Sequence, residues 1–266
     1  MKSLSLQTSS IAASMTVSID TLAKKLKAEG KDIVSLGAGE PDFKTPEIIR
    51  NAAKEAIEQG KTKYVAPTGL EEVRKAVANK LQKENGLSYS ANQIVLTSGA
   101  KQAVFNSLAA LINPDDEIII PAPYWVTYPE LVKWFKGVPV FIETTPESAF
   151  KITPEQLKNA ITEKTKAVIL NNPCNPSGAV YSPKELKALS EVIVDNDLFC
   201  ISDEIYEHFC YETEFASIAS FPDMYERTIL INGFSKSHCM TGWRIGYNAL
   251  PETIAPLITK IQSQAI

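Results

Sequence analysis

The sequence has few of the residues from which metal centres and disulfide frameworks are built. Its 266 residues include two histidines, His208 and His238, and four cysteines, no two of which form a Cys-x-x-Cys pair. Zinc sites draw on paired cysteines or clustered histidines, and disulfide frameworks need dense, paired cysteines. We therefore expect no metal site, reduced thiols in a cytoplasmic protein, and structural roles for both histidines.

Long apolar runs and basic clusters are also missing from the sequence. No run approaches the roughly 18 apolar residues of a membrane span. Serines and threonines interrupt residues 1–18, where a signal peptide would need a continuous apolar stretch. Lysines and arginines number 27 against 31 aspartates and glutamates, for a net charge of −4. Because the sequence has neither a cluster of basic residues to bind nucleic-acid phosphates nor a long apolar run, we expect neither a nucleic-acid nor a membrane partner.

What the sequence does contain is an alternation of short apolar runs and longer amphipathic segments. Most of the runs are β-branched and apolar at consecutive positions, which is typical of strands covered on both faces. These runs are 33–36, 94–96, 117–120, 138–142, 167–170, 198–201, 228–231 and 243–249. The segments with helical periodicity are 20–29, 46–59, 70–84, 102–111, 125–136, 183–195 and 252–264. The alternation predicts an α/β protein with a mostly parallel sheet and helices on both faces.

Two of the predicted helices begin with a recognisable start signal. Pro46 and Pro183 occupy first-turn positions, where a missing N–H is harmless, and each follows a residue with a side-chain hydroxyl. We therefore expect Thr45 and Ser182 to cap these two helices with their side chains.

Ligands of open α/β sheets bind beyond the carboxyl ends of the strands, so the residues after each apolar run are candidates for a site. Segment 97–101 opens a helix with small residues, whose bare N–H groups suit a phosphate. An ordinary strand-to-helix turn has the same composition. Segment 171–178 holds three asparagines and two prolines, which suits a rigidly held amide donor but also a stable turn.

Charged residues follow the later runs. Asp203 comes two residues after the buried run at 198–201, where its carboxylate needs a cation or several donors unless it caps a helix, and Tyr206 lies three residues further on. Lys236 stands between two serines, with Arg244 eight residues later, and its Phe, Met and Trp neighbours disfavour a solvated lysine. A phosphate cradle, carboxylate, phenol, amide and lysine are together the groups that pyridoxal 5′-phosphate requires of a protein.

Several motifs carry a family resemblance, spread in order over the chain. They are 35–43 (SLGAGEPDF), 63–64 (KY), 98–101 (SGAK), 123–125 (PYW), 171–178 (NNPCNPSG), 203–206 (DEIY) and 235–246 (SKSHCMTGWRIG). The chain resembles a fold-type I, class I aminotransferase, most closely the bacterial aspartate aminotransferase branch called subgroup Ib. The resemblance implies a three-layer α/β/α large domain with a mostly parallel seven-stranded sheet. Residues 45–266 would form this cofactor-binding domain and run into the interdomain helix, and residues 1–44 would form an N-terminal arm and part of an incomplete small domain.

The resemblance also implies how each residue would hold the cofactor. Lys236 would form the Schiff base and transfer protons, Asp203 would face the pyridine nitrogen, and Tyr206 and Asn175 would bond the 3′-oxygen. Trp125 would stack on the ring. The implied phosphate ligands are Gly99, Ala100, Ser235 and Arg244, with Tyr64 reaching the phosphate of the neighbouring subunit in a homodimer.

For the substrate, the resemblance implies contacts from Gly39, Trp125 and Asn175, the last to the substrate carboxylate. Lys101 would meet the distal carboxylate of a dicarboxylic substrate, with a phosphate-side or surface contact as the alternative. The implied reaction is transfer of an amino group from an amino acid to a 2-oxo acid, with aspartate and 2-oxoglutarate as the expected pair.

Other functions stay open at this point. Another fold-type I enzyme, such as a β-lyase, a decarboxylase, or a prephenate or aromatic aminotransferase, would share these residues, and so would a cofactor-binding remnant without turnover. Family members continue about a hundred residues past this point, roughly one further domain. That segment supplies the arginine that binds the substrate α-carboxylate, and no residue after Arg244 can replace it. We therefore expect a C-terminally truncated chain.

Overall fold

A computed structural model of the chain describes residues 3–266, so the first two residues of the expected N-terminal arm lie outside the described part. The helices are α1 (Leu6–Ser9), α2 (Met15–Ala28), α3 (Glu47–Glu58), α4 (Glu71–Asn85), α5 (Ala100–Leu111), α6 (Thr127–Trp134), α7 (Pro154–Ala160), α8 (Pro183–Asp195) and α9 (Ala255–Ala265). The strands are β1 (Ile94–Ser98), β2 (Glu117–Pro121), β3 (Val138–Ile142), β4 (Thr165–Asn171), β5 (Phe199–Asp203), β6 (Thr228–Gly233) and β7 (Ile245–Ala249).

The strands form one seven-stranded sheet in the order β1-β7-β6-β5-β4-β2-β3. Strand β7 is antiparallel to both of its neighbours, β1 and β6, whereas β6, β5, β4, β2 and β3 are parallel to one another. The mostly parallel, seven-stranded sheet expected from the resemblance is therefore confirmed. Because β7 alone is reversed, its amino end lies at the same sheet edge as the carboxyl ends of the other six strands.

Helices cover both faces of this sheet. On one face α5, α6 and α9 pack against residues such as Ile229 and Ile231 of β6. On the other face α4 packs against Leu230 and Tyr247, and α7 and α8 pack against β4 and β5. All six residues of β6 are buried, as the continuous apolar run at 228–231 predicts for a central strand covered on both sides.

Two local predictions are wrong. Residues 33–36 form no strand, and Val34 and Leu36 are 82% and 91% exposed, because no strand of the sheet lies beside them to pair with. Thr45 does not cap α3 with its side chain, since its hydroxyl donates to the carbonyl of Cys239 and accepts the indole N–H of Trp243. Ser182 caps α8 as predicted, in a reciprocal pair with Glu185.

The first part of the chain differs from the rest in its burial. None of residues 3–70 is buried, although α2 and α3 are amphipathic. Several apolar side chains on this part, among them Ile19, Leu22, Ile48 and Ile57, are at least half exposed. The apolar faces of α2 and α3 are thus largely uncovered within this chain. Within residues 3–266, every helix is too short or too polar to traverse a lipid bilayer.

Candidate active site

A cleft of about 710 Å³ lies at the edge of the sheet where six carboxyl ends and the amino end of β7 meet. It is lined by most of the residues singled out from the sequence: Gly39, Ala100, Lys101, Trp125, Asn175, Asp203, Tyr206, Ser235, Lys236 and Arg244. Two other predicted residues lie elsewhere. Gly99 sits beneath Arg244, and Tyr64 has a fully exposed side chain outside the cleft.

Asp203 ends strand β5 with its carboxylate buried, at 3% exposure. The Tyr128 hydroxyl donates to Oδ2 at 2.7 Å, and the Ile205 backbone N–H donates to Oδ1 at 3.3 Å. Burial raises the pKa of Asp203 to about 6, against the opposing effect of these two donors. Within residues 3–266 the carboxylate forms no ion pair. A cationic ring nitrogen in the cleft would supply the missing partner.

The loop after β4 is tied to the end of β5 by one side chain. The amide of Asn171 donates to the carbonyl of Asp203 at 2.9 Å, and its oxygen accepts the backbone N–H of Asn175 at 2.6 Å. This double contact fixes the position of Asn175 relative to Asp203. Tyr206 follows β5 on the same side of the cleft, where burial, followed by the charge of Asp203, raises its pKa to about 12, while the Asn175 amide opposes the shift.

Lys236 comes three residues after the end of β6, and its ammonium group is directed into the cleft. The ammonium donates to the carbonyl of Gly39 and lies 6.0 Å from the centroid of the Tyr206 ring. Burial lowers the pKa of Lys236, Arg244 lowers it further, and Glu40 opposes the shift. A lysine held in this way can act as a base more readily than a solvated one.

The start of α5 and the start of β7 form a cradle with the geometry of a phosphate site. The first N–H groups of α5 have no partner within the helix. The guanidinium of Arg244 lies across this end, donating to the carbonyls of Thr241 at 3.0 Å and Ser98 at 3.3 Å. A Cβ at Gly99 would lie 2.8 Å from Cζ of Arg244, and one at Gly246 would lie 2.5 Å from the nitrogen of Ala100. Only glycine leaves this cradle open.

An aromatic wall closes one side of the cleft. The Trp125 ring stands nearly perpendicular to that of Tyr128, at 88° and 5.3 Å between centroids. The ammonium of Lys101 lies 5.1 Å from the Trp125 ring centroid. Burial, and then the charge of Arg244, lowers the pKa of Lys101. Lys101 therefore lines the cleft, although the residue is also exposed to solvent.

The structure gives specific contacts to three residues for which sequence reasoning had assigned no individual role. Tyr128 and Asn171 fix Asp203, and the Glu40 carboxylate accepts the Thr241 hydroxyl at 2.8 Å at the rim of the cleft. The one available signal for Tyr128 was a phenol on the core-facing side of a predicted helix. Its partner lies 75 residues away, and only the fold brings the two together.

The cleft holds the chemical groups that pyridoxal 5′-phosphate requires. A buried, unpaired carboxylate, a phenol, an amide, a desolvated lysine, and an arginine over a helix N-terminus all face one space. These residues therefore fit the cofactor.

Comparisons with known proteins agree with this geometry. A sequence model of the family described as aminotransferase class I and II matches residues 31–266. A Bacillus subtilis (strain 168) protein named aspartate aminotransferase is 47% identical over 264 residues, which are 98% of this chain and 67% of that protein. A probable aspartate/prephenate aminotransferase of Aquifex aeolicus is 45% identical over 267 residues, 100% of this chain and 68% of that one. The solved structure of aspartate aminotransferase from Thermus thermophilus with maleate superposes with a TM-score of 0.97 at 44% identity, over 100% of this chain and 69% of that one.

Proposed function

This chain belongs to the class I and II aminotransferases, which depend on pyridoxal phosphate, and we propose that it exchanges amino groups between aspartate and 2-oxoglutarate. The observation that carries the proposal is the meeting of Asp203, Lys236 and Arg244 in one cleft. The relatives support the substrate, since those at 44–47% identity are named for aspartate or for aspartate and prephenate. Prephenate is the second candidate substrate for the same reason.

Asp203 would help the cofactor ring to withdraw electrons from the substrate. When bound, the cofactor supplies a cationic ring that withdraws electrons from the substrate Cα. The Asp203 carboxylate would stabilise the ring's N–H⁺, because the two opposite charges lie in a site with little water. A cation beside the carboxylate would also hold Asp203 ionised at neutral pH, despite the raised pKa of about 6.

Lys236 would act twice. It would hold the cofactor through its ε-amino group and, once released, would move a proton at the substrate Cα. Burial lowers its pKa, which increases the fraction of free amine available as a base near neutral pH. The contact with the Gly39 carbonyl would orient the amine along the cleft.

The remaining residues would position the cofactor and the substrate. Tyr206 and Asn175 would bond the 3′-oxygen, and Trp125 would stack on the ring. Arg244, Ser235, Gly99 and Ala100 would bind the phosphate at the start of α5. Gly39 and Asn175 would contact the amino acid, and the Lys101 ammonium would meet its distal carboxylate, beside the Trp125 ring.

The proposal includes a homodimer and a division of the chain into two parts. The uncovered apolar side chains of residues 3–70 support a partner that covers them, and the fully exposed Tyr64 supports a contact with the phosphate of a second copy. We assign residues 45–266 to the cofactor-binding domain and residues 1–44 to an arm and part of a small domain. Four free cysteines agree with a reducing compartment, and on that ground we place the protein in the cytoplasm.

A half-reaction tests this function. Purified protein loaded with pyridoxal phosphate should convert the cofactor to its amino form on addition of aspartate, with a matching loss of its visible absorbance, and 2-oxoglutarate should restore it. The variant Asp203→Asn should bind the cofactor and convert it far more slowly. Release of ammonia without the amino form would contradict transamination and indicate a lyase. A cofactor that stays unconverted with every amino acid tested would contradict turnover by this chain.

A further inference from the structure

A second cavity, of about 380 Å³, lies beside the cleft on the α4 face of the sheet. It is enclosed by α4 and by the segments that follow β5 and β6. Both histidines of the chain, His208 and His238, line it, with ring centroids 6.4 Å apart. The aminotransferase chemistry described above uses neither of them.

Three side chains at this cavity form a set of metal-ligating groups. One donor atom from each of Glu84, Glu207 and His208 lies within 4.8 Å of the other two. Nε2 of His208 is 3.4 Å from Oε1 of Glu207. The Glu207 side chain is 5% exposed, whereas those of Glu84 and His208 are about half exposed. The set therefore combines one buried carboxylate with two half-exposed side chains, which can change rotamer when an ion binds.

A lysine ammonium now sits among these oxygens. Nζ of Lys80 donates to Oε1 of Glu207 and, at 2.8 Å, to Oδ1 of Asn85, and it lies 3.5 Å from Oε2 of Glu84. The site already holds one cationic group, and its two carboxylates carry more negative charge than the single ammonium neutralises. Because the lysine stem is long and its side chain is 22% exposed, the ammonium can move out to solvent when another cation enters.

The wall of the cavity carries a buried hydrogen-bond donor without a partner within residues 3–266. Asn232 is 3% exposed, and its side-chain oxygen accepts the N–H of Gly233 at 2.7 Å, which fixes the orientation of the amide. Its Nδ2 is buried and has no hydrogen-bond partner among the described residues. Asn232 pairs with Tyr247 across the strands, so both side chains are on the α4 face, where the cavity lies. An acceptor oxygen inside the cavity, such as that of a metal-bound water or anion, would satisfy this donor.

Against the expectation from the sequence of no metal site and a structural His208, we propose that Glu84, Glu207 and His208 bind a divalent transition metal of the zinc type, in competition with the ammonium of Lys80. An imidazole nitrogen with two carboxylates suits Zn²⁺ or Co²⁺ better than Mg²⁺ or Ca²⁺, which prefer oxygen alone. Three protein ligands leave a fourth tetrahedral position for a water or anion directed into the cavity. Glu207 directly follows Tyr206, and His238 is two residues from Lys236, so the proposed site adjoins the cleft along the chain.

A Co²⁺ titration of the cofactor-loaded protein tests the proposal, followed by the d–d absorption of tetrahedral Co²⁺ and by displacement with Zn²⁺. His208→Ala should weaken binding about tenfold or more, because losing even a residue that only supports a metal ligand costs about 10- to 100-fold in affinity. The half-exposed site of His208 tolerates this change without loss of the fold, which circular dichroism can check. Lys80→Met should strengthen binding about tenfold, because it removes the competing positive charge. Glu191→Gln, which removes an exposed carboxylate on α8, should leave the affinity unchanged.

Three results would overturn the proposal. The first is no binding of Co²⁺ or Zn²⁺ by either the unmodified protein or the Lys80→Met variant. The second is equal affinity of the His208→Ala variant and the unmodified protein. The third is a thiolate-to-cobalt charge-transfer band, which would assign the ion to cysteines instead.

Discussion

The hydroxyl of Tyr128 donates a 2.7 Å hydrogen bond to Oδ2 of Asp203. Both groups are buried, and the Tyr128 side chain is 2% exposed. Burial, and then the negative charge of Asp203, raises the pKa of Tyr128 well above its usual value, so the phenol stays a donor throughout the physiological range. The contact orients the carboxylate and partly offsets the cost of burying it.

Loss of the Tyr128 donor should therefore weaken Asp203 as an anion. In Tyr128→Phe the pKa of Asp203 should rise, because burial is then opposed by one donor fewer. We expect kcat/KM to fall about tenfold or more, the usual effect of losing a hydrogen bond to a charged group, and the acid limb of its pH profile to move to higher pH. An unchanged profile with lowered activity would assign Tyr128 a packing role only.

Replacement of Gly99 should damage the phosphate cradle. Gly99→Ala would place a Cβ against the Arg244 guanidinium at a φ of +75°. The matched control is Gly86→Ala, which has a φ of +69° with no heavy atom near the added Cβ. Gly86→Ala should lose about 1–2 kcal/mol of stability from left-handed backbone strain. Gly99→Ala should lose more, because Gly99 has a ψ of 163°, in a region that only glycine adopts readily, and only this variant should weaken pyridoxal phosphate binding in a spectroscopic titration. Equal affinities in the two variants would argue against a phosphate at this turn.

Lys101 should discriminate between substrates. Lys101→Met keeps the length of the side chain but removes its charge, so the KM for aspartate should rise about tenfold or more while that for alanine stays nearly constant. Steady-state kinetics with both amino acids measures this difference. A parallel rise in both values, together with weaker cofactor binding, would instead indicate a contact on the phosphate side.

Glu204 should make stability depend on pH. It is 1% exposed, and burial raises its pKa to about 8, against the opposing hydrogen bonds from the Ser217 and Ser202 hydroxyls. In the unfolded chain the group has its ordinary pKa near 4.5. Between these two values only the folded state holds the proton, so this contribution is complete below the lower value and is lost as pH rises to the upper one.

The Glu204→Gln variant isolates that contribution. In urea unfolding from about pH 5 to about pH 8, Glu204 should contribute a fall of at most about 1.4 kcal/mol per pH unit to the stability of the unmodified protein, in addition to the slopes of other titrating groups. The variant should show a flatter dependence, because glutamine does not titrate. The exposed Glu163 provides a control, since Glu163→Gln should leave the dependence unchanged. Identical slopes in the Glu204→Gln variant and the unmodified protein would contradict the shift.

The sequence patterns were sufficient where burial alone decides the structure. The apolar runs of β4, β5 and β6 predict central strands because both faces of these strands are covered. The candidate cofactor-binding residues follow at the ends of those strands. The sequence patterns gave wrong predictions where the conformation of a residue depends on another residue or strand far away in the sequence. The run at 33–36 has strand composition but no neighbouring strand, and the hydroxyl of Thr45 is engaged by Cys239, 194 residues away. Tyr128 could not be assigned for the same reason, because its role depends on Asp203.

The most direct test of the account is to locate the lysine that carries the cofactor. Borohydride reduction of the protein loaded with pyridoxal phosphate, followed by peptide mapping, should place a single pyridoxyl label on Lys236. The cleft also contains Lys101, which makes the test discriminating. A label on Lys101 or on a surface lysine, with Lys236 unmodified, would contradict the assignment of the cleft and the mechanism built on it.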